Sequence, residues 1–442
     1  MTSVRARLFA ALTLADSKLT WCGIAVVVGR TMFFYQMNMD DKKTAGKILQ
    51  EISLSLDSFT KETAFPGLLG GYTGAALFFA YYYQLTGKKK YLQKVHQLLE
   101  RSVQDMGETA LPLSHCSGIA GMVWNIQHLI KAGFVNEDGM DDVFEEVDEV
   151  LGQQMLNALQ EGQHDFLHQG LGIALYFLER DPHPQAKHYL TALVSTLEST
   201  AVKTADGISW QDHLTGLGGR PAGEVTFNMG LAHGVPAIIS ILAMIHHKGI
   251  APAHTSDLIR KGISWILKAE NSPEEGLTAL YPVLTDVSHQ PLTGKQSRLG
   301  WCYGDLGIAT MLLNAGVSLQ DNTYQEKALQ IFHHTLSHRN SKNSNVHDAC
   351  LCHGSAGIAH IYRRAWLQTK DPSLLTGATY WLQETFQMNT HKDAPAGFRF
   401  YGKDAYENSY GILEGVAGIG LALMAAIDED TDPLWDRCIL LC

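Results

Sequence analysis

The sequence predicts an all-α fold, an α/α toroid of seven helical hairpins with seven inner and seven outer helices. Three observations carry this expectation. A phrase with two small residues three apart recurs seven times, each time opening an apolar run at helical periodicity. First positions of successive phrases lie 47, 51, 65, 70, 50 and 61 residues apart. That fits two helices of ~15 residues plus connections. Glycine is enriched, 41 of 442 residues with only 13 prolines, so the excess belongs to folded elements rather than to a linker.

The elements follow in chain order. Residues 1–36 carry Arg5, Arg7, Lys18 and Arg30 against Asp16, with two short apolar runs. Neither run approaches the ~20 residues of a membrane span. The segment reads as an extension that is not part of the fold, or as a weak export signal. Residues 37–442 read as one domain. Its phrases are Gly71-Tyr72-Thr73-Gly74, Gly118-Ile119-Ala120-Gly121 and Gln169-Gly170-Leu171-Gly172, then Gly234-Val235-Pro236-Ala237. The rest are Gly304-Asp305-Leu306-Gly307, Gly354-Ser355-Ala356-Gly357 and Gly415-Val416-Ala417-Gly418. Pro236 fits the first turn of a helix. Amphipathic stretches between the phrases, such as residues 91–103 and 257–268, are expected outside the apolar helices. Two longer loops, residues 217–221 and 282–296, are expected to shape a rim.

Small residues at i and i+3 let inner-helix starts crowd together at one end of the barrel. Residues just ahead of each phrase then face a shared cavity. Helix N-termini make that cavity favourable to anions, thiolates included.

A formal net charge of -11 excludes a protein that lives on nucleic-acid phosphates. Seven cysteines at irregular spacing make a poor disulfide framework and suit a reducing cytoplasm, with thiols free for metal.

Three phrases are preceded by ligand-type residues: Ala232-His233-Gly234, Trp301-Cys302-Tyr303-Gly304 and Cys352-His353-Gly354. Cys302 and Cys352 share one register in consecutive repeats and are expected to be spatial neighbours. With His353 they supply two sulfurs and a nitrogen, the three-ligand, open-position pattern of catalytic zinc. Cys350 as a fourth ligand would make the site structural instead. Cys116 shares the register of Cys302 but lies several repeats away, where a packed thiol is expected. Two thiolates neutralise the charge of zinc, which favours activation of an incoming thiol over hydrolysis.

These motifs, in this order on seven glycine-marked repeats, resemble the LanC family of lanthipeptide cyclases over about residues 60–427. The resemblance implies one zinc per chain, held by Cys302, Cys352 and His353. It implies addition of peptide cysteine thiols to dehydroalanine or dehydrobutyrine, giving thioether rings. His233 matches the active-site histidine, Arg298 an arginine near the metal, Tyr303 the tyrosine after the first cysteine, and Asp165 a family aspartate. His233 suits proton transfer and Arg298 or Tyr303 suits the enolate oxygen. Asp165 suits orientation of His233. Each also has a plainer use: Asp165 as a helix cap, Arg298 in an ion pair, Tyr303 in packing. The implied partners are a dehydrated precursor peptide, a lanthipeptide dehydratase and an ABC exporter. The implied location is the cytoplasm, with possible peripheral contact at the inner face of the membrane. Other readings are a LanC-like glutathione-binding protein and a zinc-stabilised scaffold. A prenyl-transfer barrel would want a carboxylate in register with the cysteines, and none is present.

Overall fold

The computed structural model describes residues 37–136, 141–213, 225–274, 276–292, 294–428 and 432–441. The extension over residues 1–36 and the loop over 217–221 lie outside the described residues. Seven helices begin at the seven phrases: α2 (Tyr72–Thr86), α4 (Ile119–Lys131), α6 (Ile173–Arg180), α8 (Val235–His247), α10 (Asp305–Leu319), α12 (Ser355–Thr369) and α14 (Val416–Ile427). In the third repeat a short 3-10 turn over Gly170–Gly172 precedes α6. Each of these helices touches the next, and α14 returns to α2, so the inner ring is closed. The inner helices are apolar nearly all round; every residue from Val416 to Ala425 of α14 is buried.

The outer helices among the described residues are α1 (Met39–Glu62), α3 (Lys89–Glu108), α5 (Asp141–Gln160), α7 (Pro184–Thr200), α9 (Pro252–Lys268), α11 (Asn322–His338) and α13 (Pro372–Gln387). The pairs α2–α3, α6–α7, α8–α9, α10–α11 and α12–α13 pack as sequential hairpins. The last inner helix departs from that pattern. Its outer neighbour is α1, from the other end of the described chain. Residues Ala45, Ile48, Leu49, Ile52 and Leu56 give α1 one buried stripe at three- and four-residue steps, and the Asn38 side chain caps its start.

The second small residue of each phrase has a steric cause. A Cβ on Gly357 would lie 1.9 Å from the Leu351 carbonyl oxygen, and one on Gly418 would lie 1.9 Å from that of Ile412. At these positions the chain folds back over the first turn of its own helix, and only glycine admits the approach; the fourth phrase, with Ala237, is the exception. The same Cβ positions also crowd the preceding repeat: Gly418 against Leu351 and Gly121 against Leu68.

The loops ahead of the helices are tied into a belt. Leu69 N–H donates to Cys116 O, Cys116 N–H to Leu167 O, and Ala232 N–H to Cys302 O. Cys302 N–H donates to Cys352 O, Cys352 N–H to Leu413 O, and Leu413 N–H to Leu69 O. All of these residues stand two before the first position of their phrase. Beneath the belt runs a buried segment, residues 434–441. The Trp301 indole donates to Ile439 O at 2.7 Å, and His115 Nε2 lies 2.8 Å from Cys438 O.

Candidate active site

The belt makes Cys302 and Cys352 immediate neighbours. Trp301 and Cys302 N–H both point at the Cys352 carbonyl, at 2.9 and 3.3 Å. Gly300 allows this approach, because a Cβ there would stand 2.9 Å from His353 Cα. Gly304 turns the chain into α10 at φ +84°, which is a glycine conformation. One donor atom from each of Cys302, Cys352 and His353 lies within 4.8 Å of the other two. The Cys352 thiol donates to Cys302 and, with His353 assisting, holds Cys302 well below the ordinary thiol range. The same contact, with burial, pushes Cys352 well above it.

The donor set fits zinc. Two buried sulfurs in contact cannot both be anionic without a cation between them. His353 Nε2 is buried with no hydrogen-bond partner, and the nearest carboxylate oxygen, Asp348 Oδ2, is 3.7 Å away. Two thiolates and one imidazole form a closed half-shell with room for a fourth ligand.

Cys350 does not join the sulfur pair. It clusters with Asp348 and His353, its Sγ accepts the His353 N–H at 3.5 Å, and burial with Asp348 pushes its thiol well up. Cys116 stands on the far side of the belt, three steps from either zinc-type cysteine. It is half-buried, and burial raises its thiol to about 12, so it stays protonated.

The structure brings His233 and Asp165 together. His233 Nδ1 lies 2.5 Å from Asp165 Oδ2, and the other carboxylate oxygen accepts the His168 N–H at 2.7 Å. Asp165 therefore both fixes a turn and orients the imidazole. The Tyr303 ring sits 5.9 Å from that of His233. Burial, then the nearby Cys302 sulfur, raise the Tyr303 phenol far above its ordinary value, so it remains an O–H donor. Arg298 is exposed at the rim and stabilises the Cys302 anion from a distance. Among the described residues its side chain has no hydrogen bond or ion pair.

A family model described as lanthionine synthetase C-like protein matches residues 66–440. The chain belongs to the lanthionine synthetase C-like family. It is 26% identical over 220 residues to the nisin biosynthesis protein NisC of Lactococcus lactis subsp. lactis, an alignment covering 48% of each chain. The chain thus spans about half the length of this curated relative in alignment. Its fold is similar to that of nisin cyclase, with a TM-score of 0.66 at 20% identity, over 90% of this chain and 98% of the other.

Two residues beside the candidate site escaped the sequence reading. His168 and Glu414 stand one before the first position of phrases three and seven, in register with His233, Tyr303 and His353. Glu414 is accessible at the mouth yet crowded by protein. Burial holds its carboxyl above the ordinary range, against the pull of His353. Register alone pointed to both.

Proposed function

We propose that this protein is a zinc-dependent lanthipeptide cyclase, closing thioether rings in a dehydrated precursor peptide. The observation that carries the reading is the convergence of Cys302, Cys352 and His353 on one point of the belt, beside the His233–Asp165 pair. Cys302, Cys352 and His353 would hold the ion. Bound zinc supplies acidity to a substrate thiol while leaving its sulfur nucleophilic.

The chain's own residues do the rest. Asp165 accepts from His233 Nδ1–H, which fixes the tautomer and presents Nε2 to the cavity. His233 takes the thiol proton and returns it to the α-carbon of the enolate left when sulfur adds to the β-carbon. Tyr303 O–H donates to the enolate oxygen, and Arg298 adds positive charge at the rim. The ring therefore forms with no net loss of protons: one S–H and one C=C become one C–S and one C–H.

The substrate comes from a dehydratase that makes dehydroalanine and dehydrobutyrine, and the product leaves through an ABC exporter. Both partners and the cytoplasmic setting are part of this proposal. No helix among the described residues is long and apolar enough to cross a membrane.

The test is ring closure on a dehydrated, cysteine-containing precursor, followed by alkylation of remaining thiols and mass spectrometry. Zinc-loaded protein is expected to leave no alkylatable thiol at the ring positions, and Cys302→Ala protein to leave them all. Stoichiometric zinc with every substrate thiol still alkylatable would overturn the reading.

A further inference from the structure

Beside the sulfur site lies a second group of metal-type donors. Asp165, His168 and His233 each place one donor atom within 4.8 Å of the others. We propose that these three residues form a second, weaker divalent transition-metal site. It fills when zinc is in excess and withdraws His233 from proton transfer.

The chemistry of the donors supports an ion rather than simple packing. Two imidazoles and one carboxylate suit zinc, cobalt and nickel, and the absence of sulfur makes the site weaker than its neighbour. Asp165 is almost fully buried, and its second oxygen is held by the His168 N–H, so the carboxylate is oriented before any ion arrives. The His168 ring is exposed and lies parallel to that of His233 with centroids 5.8 Å apart.

The geometry sets what entry requires. Asp165 Oδ2 and His233 Nδ1 are 2.5 Å apart, held by a proton. Ligands of one ion, each ~2.0–2.1 Å from it, stand about 3 Å apart or more. The ion therefore displaces that proton to Nε2 of the same ring and parts the pair; the imidazole stays neutral, and the Nε2 lone pair that would take the thiol proton is lost. The accessible His168 side chain swings to complete the set.

Binding at this site does not depend on the cyclase reading. The inhibition does rest on it, because it acts through loss of the His233 base.

Cobalt titration tests the site. The first equivalent is expected at Cys302, Cys352 and His353, with sulfur-to-cobalt charge-transfer absorption. A second equivalent is expected to add only weak visible bands of nitrogen and oxygen ligation. His168→Ala should keep the first absorption unchanged, which also reports an intact fold. It should weaken the second equivalent by more than ~10-fold, since even outer-sphere partners of metal ligands are worth that much. In ring closure, rising free zinc should slow the wild type and leave the His168→Ala protein unaffected. Saturation at one equivalent in the wild type, or equal second-ion binding in His168→Ala and wild type, would overturn the site. Equal zinc inhibition of both proteins would overturn the inhibition. Loss of the charge-transfer band in the wild type would instead count against the sulfur site.

Discussion

At the scale of single residues, Asp165 separates orientation from capping. Asparagine at this position still offers an oxygen to the His168 N–H but no longer accepts from His233 to orient it. Asp165→Asn is expected to fold normally and to slow single-turnover ring closure by ~10²–10⁴, the range of a lost acid–base group. Asp165→Ala should lose the same activity and about 1 kcal/mol of stability in urea as well, because the turn loses its cap. Equal stability of the two variants would show that the cap is idle. Cys302→Ala and Cys352→Ala should each leave the purified protein without stoichiometric zinc, read by elemental analysis. The sulfur pair, His353 and His233 were legible because ligand-type residues sat at one register of a repeat. Asp165 and Arg298 have no such register and entered only through family resemblance. His168 and Glu414 shared the register, yet neither formed a familiar motif with its sequence neighbours.

At the scale of elements, the buried segment 434–441 supports the belt from below. Asp436 lies fully buried between His360 Nε2 at 2.7 Å and Arg364 Nε at 3.1 Å. Asp436→Asn takes one of two carboxylates from the buried Arg364, which keeps Asp432, and should cost about 1–3 kcal/mol, measured by urea unfolding. His115 touches the same segment and is buried to the point that its pKa falls to about 4. Its folded pKa lies below the unfolded value near 6.5, so below that pH the unfolded chain binds the extra proton. Stability from this residue is full above pH ~6.5 and is lost as pH falls towards ~4, some 3 kcal/mol in all. His115→Gln should flatten that part of the stability curve relative to wild type. The glycine phrases announced where the inner helices start, since the fold-back over most first turns leaves no room for a side chain. The supporting segment was not legible. It is short, mixes Asp436 and Arg437 with apolar residues, and has no period; only its tertiary partners show that it is core.

At the scale of the whole molecule, ring closure decides how the protein unfolds. A linear repeat array has free ends and can fray repeat by repeat. Here α14 finds its outer partner in α1, and the belt returns from Leu413 to Leu69, so the toroid has no terminal repeat among the described residues. The sequence pattern predicted a closed toroid but not that α1 supplies the last outer helix, because α1 carries no glycine phrase and its stripe resembles any amphipathic helix. A closed ring should unfold as one unit. Buried tryptophans report from separate places: Trp124 in α4, Trp265 in α9, Trp381 in α13 and Trp435 in the supporting segment. Variants that keep one of these as the sole tryptophan should show coincident urea transitions. A chain beginning at residue 63 lacks α1 and leaves one side of α14, an apolar helix, bare to water. That chain should lose the cooperative transition and stoichiometric zinc together, because the belt that aligns Cys302 with Cys352 is held only while the ring is closed. Separate transitions for Trp124 and Trp381 in the full-length protein, or a truncated chain that still binds zinc tightly, would mean that the two sulfurs are aligned locally rather than by the toroid.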